Sequence, residues 1–385
     1  MLDLNIRKAR VDAHCRILGV ENGGLSAQRP VHQSRIDTDR CRIASGRAQE
    51  NRETMGISTT MQAVVATAPG GPEVLKLVER PIQTPGAGQV LLQVLAAGVN
   101  RPDIMQRQGI AKPAPGATDV LGLEACGKVT TCGPGVHTLA PGMRVMALLP
   151  GGGYAPWCIA HAEHCLPVPD GLGDDEAGAL PEGLFAIWHN LFELCALKMG
   201  ETVLIHGAAG GIGTLAVQMA HAAGARVIVT DGPRDRLAAL KAMGVVEAIC
   251  YHDTDFTQAC RAATAGRGVD VVMDIVGGDY VPRNLDALAF GGRHLSLSFM
   301  QGSRVSIELL TLMQKQLSLH SSTLRPQSDE EKTRMARLIA KHVLPLIADG
   351  RIRPRLQGSL PLAQAADAHR LMERGDVFGK LVLKP

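Results

Sequence analysis

The chain has no apolar run approaching the roughly 18 residues that a membrane span requires. Its first residues also lack the continuous apolar core of a signal peptide. Neither charge dominates: 40 Lys and Arg against 37 Asp and Glu leave +3, with no basic stripe or repulsive tail. That balance argues against nucleic acid as the main partner and gives no reason to expect a membrane. The nine cysteines (15, 41, 126, 132, 158, 165, 195, 250, 260) contain no Cys-x-x-Cys pair and form an odd set. They read as reduced thiols in a cytoplasmic protein. No internal repeat or low-complexity tract is present.

What remains is a chain of 385 residues, enough for two or three domains with a sizeable core. Residues 1–60 differ from the rest, being rich in arginine and polar residues without a sustained apolar period. Their acids (Asp3, Asp12, Glu21, Asp37, Asp39, Glu50, Glu53) argue against a transit peptide. Met55 and Met61 precede the first convincing strand, so 1–60 reads as a disordered extension or as a stretch upstream of the true start.

The most informative run is T-V-L-I-H-G-A-A-G-G-I-G-T-L-A-V-Q-M at 202–219. A short apolar strand meets Gly207, Gly210 and Gly213, and a helical spacing follows at Ile212, Leu215, Ala216, Met219 and Ala220. Such a joint offers bare N–H groups and a positive helix end to an anion, and a side chain there would hold a pyrophosphate off the backbone. Gly207, Ala208, Ala209, Gly210, Gly211, Ile212 and Gly213 are therefore candidate dinucleotide contacts. A second apolar strand, 225–231, ends in Thr230 and Asp231 before Gly232, with Asp231 21 residues after Gly210. A carboxylate at this distance can accept hydrogen bonds from a free ribose 2′-hydroxyl, whereas Arg234 and Arg236 would attract a 2′-phosphate. The cofactor is NADPH or NADH, with the 2′ position open.

Upstream, short strands with Gly-Pro turns run from 61 to about 149 and suggest a small antiparallel barrel or sandwich. A helix is expected over 185–197. Strands at 202–206, 226–230, 247–251, 270–275, 293–298 and 317–322, with helices between most, predict a doubly wound six-stranded parallel sheet. The tail predicts helices at 330–348 and 361–373 and strands near 353–357 and 379–383, which rejoin the first unit.

The motifs A-A-G-V-N-R-P-D-I-M-Q-R-Q-G (96–109), L-G-L-E-A-C-G-K-V (121–129) and A-L-L-P-G-G-G-Y-A (147–155) resemble the medium-chain dehydrogenase/reductase superfamily. With the glycine loop, D-I-V-G-G (274–278), S-S-T-L-R (321–325) and G-K-L-V-L (379–383), the closer resemblance is to its zinc-independent quinone oxidoreductases. The group induced by a tumour suppressor is the nearest of these. The resemblance implies an α/β fold: a GroES-like β-rich catalytic domain (61–182, completed by 326–385) and a Rossmann domain (183–325). It also implies a substrate cleft between them and a homodimer paired through the last Rossmann strand, near 293–298.

Zinc enzymes of the superfamily have cysteine and histidine where this chain has Asn100 and Leu123, and neither an amide nor an isobutyl group replaces them as a ligand. A rival cluster, Cys158, His161, His164 and Cys165, has metal-binding residue types, but the implied strand would alternate them between faces. No metal is expected. Without one, the enzyme must position hydride against an acceptor that is already activated, such as a quinone or enone. Solvent can protonate a hydroquinone oxygen.

By resemblance, Asn100 contacts nicotinamide ribose or the substrate oxygen, its plainer role being a turn cap before Pro102. Asp103 holds that loop or makes a local salt bridge. Tyr154 offers a hydroxyl to a substrate carbonyl or is an exposed loop aromatic. Tyr251 matches a tyrosine near the adenosine end, and Phe299, Met300 and Gln301 follow the strand where the backbone meets nicotinamide. Arg325 and Gly379–Lys380 are matched residues for cofactor phosphate or ribose. Met105 departs from the tyrosine common in the related quinone reductase branch. The leading expectation is an NAD(P)H quinone or enone reductase. The alternatives are a 2-enoyl thioester reductase, which wants a tyrosine donor and a basic mouth, and a nucleotide-binding interaction protein with little turnover.

Overall fold

A computed structural model describes residues 59–114, 116–232 and 234–385. The segment read as an extension therefore lies outside the described residues, apart from its last two positions.

The β-rich unit is organised on one long strand. Its first hairpin pairs β1 (Thr60–Ala66) with β2 (Leu75–Pro81) antiparallel. The hub is β3 (Gln89–Gly98), whose run Q-V-L-L-Q-V-L-A-A-G is buried along most of its length. One edge of β3 takes β4 (Glu124–Cys132). The other is shared: residues 89–93 pair with β6 (Trp157–His161), and Ala97 and Gly98 pair with β15 (Lys380–Lys384). β5 (Arg144–Leu148) and β7 (Cys165–Pro167) extend the sheet beyond β4. At the opposite end β14 (Leu356–Pro361) lies parallel to β15, so the chain's last strands complete the sheet begun by its first.

The second sheet is parallel and six-stranded: β8 (Thr202–His206), β9 (Arg226–Asp231), β10 (Glu247–Cys250), β11 (Val269–Asp274), β12 (Leu288–Ser296) and β13 (Ser318–Ser321). Its order, β10-β9-β8-β11-β12-β13, reverses direction beside β8. In such sheets the ligand crevice lies outside the strand carboxyl ends at the reversal. All five residues of β8 are buried, as a central strand with helices on both faces requires.

Several boundaries differ from the sequence expectation. β12 starts at Leu288, not 293, because Leu288 pairs with Val269 before a register shift brings Arg293 opposite Val271. It is also interior, so the free edge that the homodimer reading sought near 293–298 belongs to β13. The 330–348 helix is two, Asp329–His342 and Leu344–Ala348, with Pro345 in the second's first turn. The 185–197 helix begins earlier, at Pro181, and loosens into a π-helical segment at Trp188–Leu194. The last helix covers Ala365–Glu373 after a short 3-10 turn, and β14 begins at Leu356.

Helix Pro181–Ile187 joins the two units. One core cluster runs from Met146 and Leu166 of the first sheet, through Leu184 and Phe185, to Val203 and Ile205 of the second and Leu215 of the helix Gly211–Ala222. Burying each such side chain is worth about 1.5–3 kcal/mol. The crevice is thus held between two sheets that share a core.

Candidate active site

The glycine loop leaves β8 and opens helix Gly211–Ala222, capped by Gly210, which has no side chain. Gly207 has a φ of +63°. A β-carbon on Gly213 would stand 2.6 Å from Ala208 Cα and Gly207 O, so only glycine lets the helix approach the loop so closely. Gly207 and Ala208 both donate to the Thr230 carbonyl, at 3.1 and 3.3 Å. The first N–H groups of the helix, from Gly211 to Gly213, have no intrahelical acceptor and suit an anion.

The strand-end acid is tied to this loop. Asp231 is buried; one carboxylate oxygen accepts the Ala209 N–H at 2.9 Å and the other the Gly232 N–H at 3.0 Å. Tyr251 packs its hydroxyl end over Gly232. The arginines turn elsewhere: Arg234 pairs with Asp253 at 2.8 Å, and Arg236 donates to the Gly375 carbonyl at 2.7 Å.

Gly379 connects the two sides of the crevice. Its N–H donates to the Ala209 carbonyl at 2.8 Å and it bridges to Gly210. The next side chain, Lys380, crosses to Asn100, donating to Oδ1 at 2.6 Å and pairing with Glu124. Asn100 Nδ2 donates to Glu124 Oε1 at 2.8 Å, and Glu124 Oε2 accepts the Glu182 N–H at 2.9 Å. Asn100, Glu124 and Lys380 are all buried. Gly98 is required beneath them, since a β-carbon there would meet Glu124 Oε1 at 2.1 Å. The Asn100 amide thus serves this cluster rather than capping its turn. Glu124 and Glu182 were not among the sequence candidates. The signal was an acid inside an otherwise apolar strand at 121–126, and another at the start of an apolar helix.

Asp103 lies behind Asn100. Buried, it accepts the Asn100 N–H at 2.9 Å, the Gly122 N–H at 3.2 Å and the Tyr154 hydroxyl at 3.2 Å. Burial pushes its carboxyl up to about 6, against the pull of those bonds and of Lys380. Tyr154 is fully buried, which corrects both readings of it, the substrate donor and the exposed loop aromatic. Gly153 brings the chain inward, and the tyrosine's backbone bonds to Leu121 and Val64. Its hydroxyl also lies 3.2 Å from His369 Nε2, and His369 Nδ1 lies 3.4 Å from Arg107 Nη1. Burial and then Arg107 hold His369 down to about 3, so the ring is neutral. With Arg107 donating to Nδ1, the proton sits on Nε2 and points at the tyrosine oxygen, leaving the tyrosine hydrogen for Asp103. Arg107 ends the chain on Glu373, gripping both carboxylate oxygens.

Phe299, Met300 and Gln301 lie at the sheet's carboxyl edge, their loop bonded to Ile275 and Val276. Arg325 reaches across to the Lys112 carbonyl and to Gln106 Oε1 at 3.3 Å, linking the segment after β13 to the loop after the Asn100 helix. The rival metal cluster comes together without forming a ligand set, its His161 and His164 rings stacked 4.3 Å apart. His164 faces the Asp329 carbonyl at 3.1 Å, His161 accepts from Glu163 N–H, and burial pushes the Cys158 thiol up to about 12. Among the described residues no group of three His, Cys, Asp or Glu is placed to hold a metal.

Residues 86–193 match the family described as alcohol dehydrogenase GroES-like domain, and 211–341 that described as zinc-binding dehydrogenase. A crystal structure of an NAD-dependent alcohol dehydrogenase is 32% identical, with a TM-score of 0.76 over 84% of this chain and 100% of that one. The chain belongs to the medium-chain dehydrogenase/reductase superfamily. The side chains do not fit the second family's zinc: Asn100 is spent on Glu124 and Lys380, and Leu123 is an alkyl group. The narrower quinone oxidoreductase resemblance is not singled out. JamJ enoyl reductase (26% identity, 85% of this chain, 99% of that one) has a TM-score of 0.75. A quinone oxidoreductase of Pseudomonas syringae pv. Tomato (29%, 85% and 100%) has the same score. Mycocerosic acid synthase-like polyketide synthase of Mycobacterium tuberculosis is 31% identical over 316 residues, 82% of this chain. The chain spans about 15% of the length of that protein. No helix among the described residues is long and apolar enough to cross a membrane.

Proposed function

We propose that this chain reduces a carbon–carbon double bond conjugated to a carbonyl, in a 2-enoyl thioester or an enone, using NADPH or NADH. The observation that carries this reading is the Gly379–Lys380 link. It fixes the glycine loop, where a pyrophosphate fits, to a buried amide–ammonium–carboxylate cluster with no metal-ligating set. When bound, the dinucleotide supplies hydride. Gly211 to Gly213 would hold its pyrophosphate, Asp231, Gly232 and Tyr251 its adenosine end, and the 299–301 loop with Asn100 its nicotinamide end. The residues then hold a substrate against the reduced ring, with the buried Lys380 ammonium as the positive charge behind Asn100. Lacking zinc ligands, the site suits acceptors whose own conjugation spreads the incoming charge.

The enoyl reductase and polyketide synthase relatives support enoyl substrates over the quinones first expected. Quinone reduction is the second reading, favoured by the quinone oxidoreductase match. Oxidation of both reduced nicotinamides by the full chain, with a 2-enoyl thioester, a cyclic enone and a 1,4-quinone, tests both. Enoyl turnover exceeding quinone turnover is expected, and binding without turnover of any acceptor would support the interaction protein instead. Because both Asp231 oxygens serve the loop, Asp231→Ala should weaken NADH and NADPH together. A switch in preference would instead make it the 2′ discriminator. We place the homodimer contact at β13, where Leu319 is exposed on the free edge, and Leu319→Lys should lower the mass measured by sedimentation.

A further inference from the structure

Reducing an enoyl double bond requires a proton on carbon as well as a hydride, and Tyr154 is buried away in the core. Another acid, Glu182, stands beside Glu124. It is the second residue of helix Pro181–Ile187, and three contacts fix it. Its N–H is bonded to Glu124. Its neighbour Gly183 packs so closely on the dinucleotide helix that a β-carbon would stand 2.8 Å from Leu215 Cδ2 and 3.7 Å from Ile212 Cδ1. Pro181 starts the helix before it. Glu182 therefore stands where the Asn100–Glu124–Lys380 cluster meets the dinucleotide helix. Its carboxyl is half-buried and, unlike those of Glu124 and Asp103, has no hydrogen bond or ion pair among the described residues. The charges acting on it are the acids Glu124 and Asp103 and the bases Lys380, Arg325 and Lys332. Burial and the nearby Glu124 push it up to about 8, so it holds its proton near neutrality.

We propose that Glu182 is the general acid that protonates the α-carbon. The proposal rests on the enoyl-reductase reading. Hydride from the reduced dinucleotide, added at the β-carbon, leaves an electron pair shared between the α-carbon and the carbonyl oxygen. That pair takes the Glu182 proton: a C–H bond forms, the carboxyl O–H bond breaks, and the carboxylate is left facing Lys380 and Arg325. Water reprotonates it. A quinone needs no C–H bond here, since its oxygens exchange protons with solvent.

The test uses a 2-methyl-2-enoyl thioester, whose product records the face of protonation. Wild type should give one α-configuration. Glu182→Gln should lose roughly a hundredfold in turnover and give both configurations, and Glu182→Asp should restore one. A readout independent of turnover is melting of the unloaded protein. A carboxyl held at about 8 in the fold and 4.5 when unfolded contributes stability that is complete below 4.5 and lost as pH rises through about 8. Glu182→Gln should therefore melt higher relative to wild type at pH 9 than at pH 5. If wild type reduces the thioester and Glu182→Gln gives the same single configuration, the proposal fails while the enoyl-reductase reading stands. If wild type does not reduce it, both fail.

Discussion

The dinucleotide side of the crevice is made of backbone: Gly207, Gly210 and Gly213 set the path, and the groups on offer are N–H donors of one loop and one helix turn. The opposite side is made of side chains from widely separated segments, the buried Asn100, Asp103, Glu124, Tyr154, His369 and Lys380 and the half-buried Glu182. The first arrangement tolerates almost any sequence that keeps its glycines. The second depends on every partner, because each buried polar group left alone bears its full desolvation cost. Substitutions should therefore act differently on the two sides: on the side-chain face they should cost stability, and on the backbone face, binding.

The largest effect belongs to the buried ion pair. Lys380→Met leaves Glu124 charged and buried with only Asn100 and one N–H, and should cost about 3–5 kcal/mol in denaturant unfolding. An unchanged midpoint would mean that the pair is open to water. On the backbone face, Gly213→Ala forces a methyl group against Ala208 Cα, a clash of roughly 1–3 kcal/mol. It should appear mainly as weaker binding in a nicotinamide fluorescence titration. Were it to reduce stability alone, the loop would not be the dinucleotide site. Tyr154→Phe removes a hydroxyl from between Asp103 and His369 and should cost about 1–3 kcal/mol. Product α-configuration should stay single, whereas a substrate-donor tyrosine would scramble it.

His369 makes the side-chain face sensitive to acid. His369 is held at about 3 in the fold against an ordinary 6.5, so the unfolded chain takes up the proton first. The stability it contributes is complete above 6.5 and is lost as pH falls toward about 3. His369→Gln should flatten that limb of a melting-temperature profile. The smallest effect is expected at Arg234→Ala, which breaks an exposed pair with Asp253 and should change stability by less than about 0.5 kcal/mol.

The same contrast explains what was legible in the sequence. The glycine loop, the strand-end acid and the alternation of parallel strands with helices follow from local spacing, so a linear reading finds them. Asn100, Asp103 and Lys380 were reachable as members of recognisable motifs. Tyr154 was misread because three preceding glycines look like an exposed loop, whereas here Gly153 lets the chain pass close to the Glu124 carbonyl. His369 and Glu373 share no motif with Asp103 and Arg107, and 262 residues separate His369 from Arg107. Glu182 looked like one acid in a helix start, and only the fold sets it beside Glu124. The expected strand at 293–298 missed its first residues, because Leu288 pairs with Val269 ahead of a register shift that spacing does not reveal.

The most direct test follows the hydride itself. The full chain would be supplied with a 2-enoyl thioester and nicotinamide dinucleotide deuterated at C4, and the product examined by NMR. Deuterium on the β-carbon of a saturated thioester is the predicted result. Deuterium on the carbonyl carbon of an alcohol, with turnover that depends on added zinc, would contradict the account.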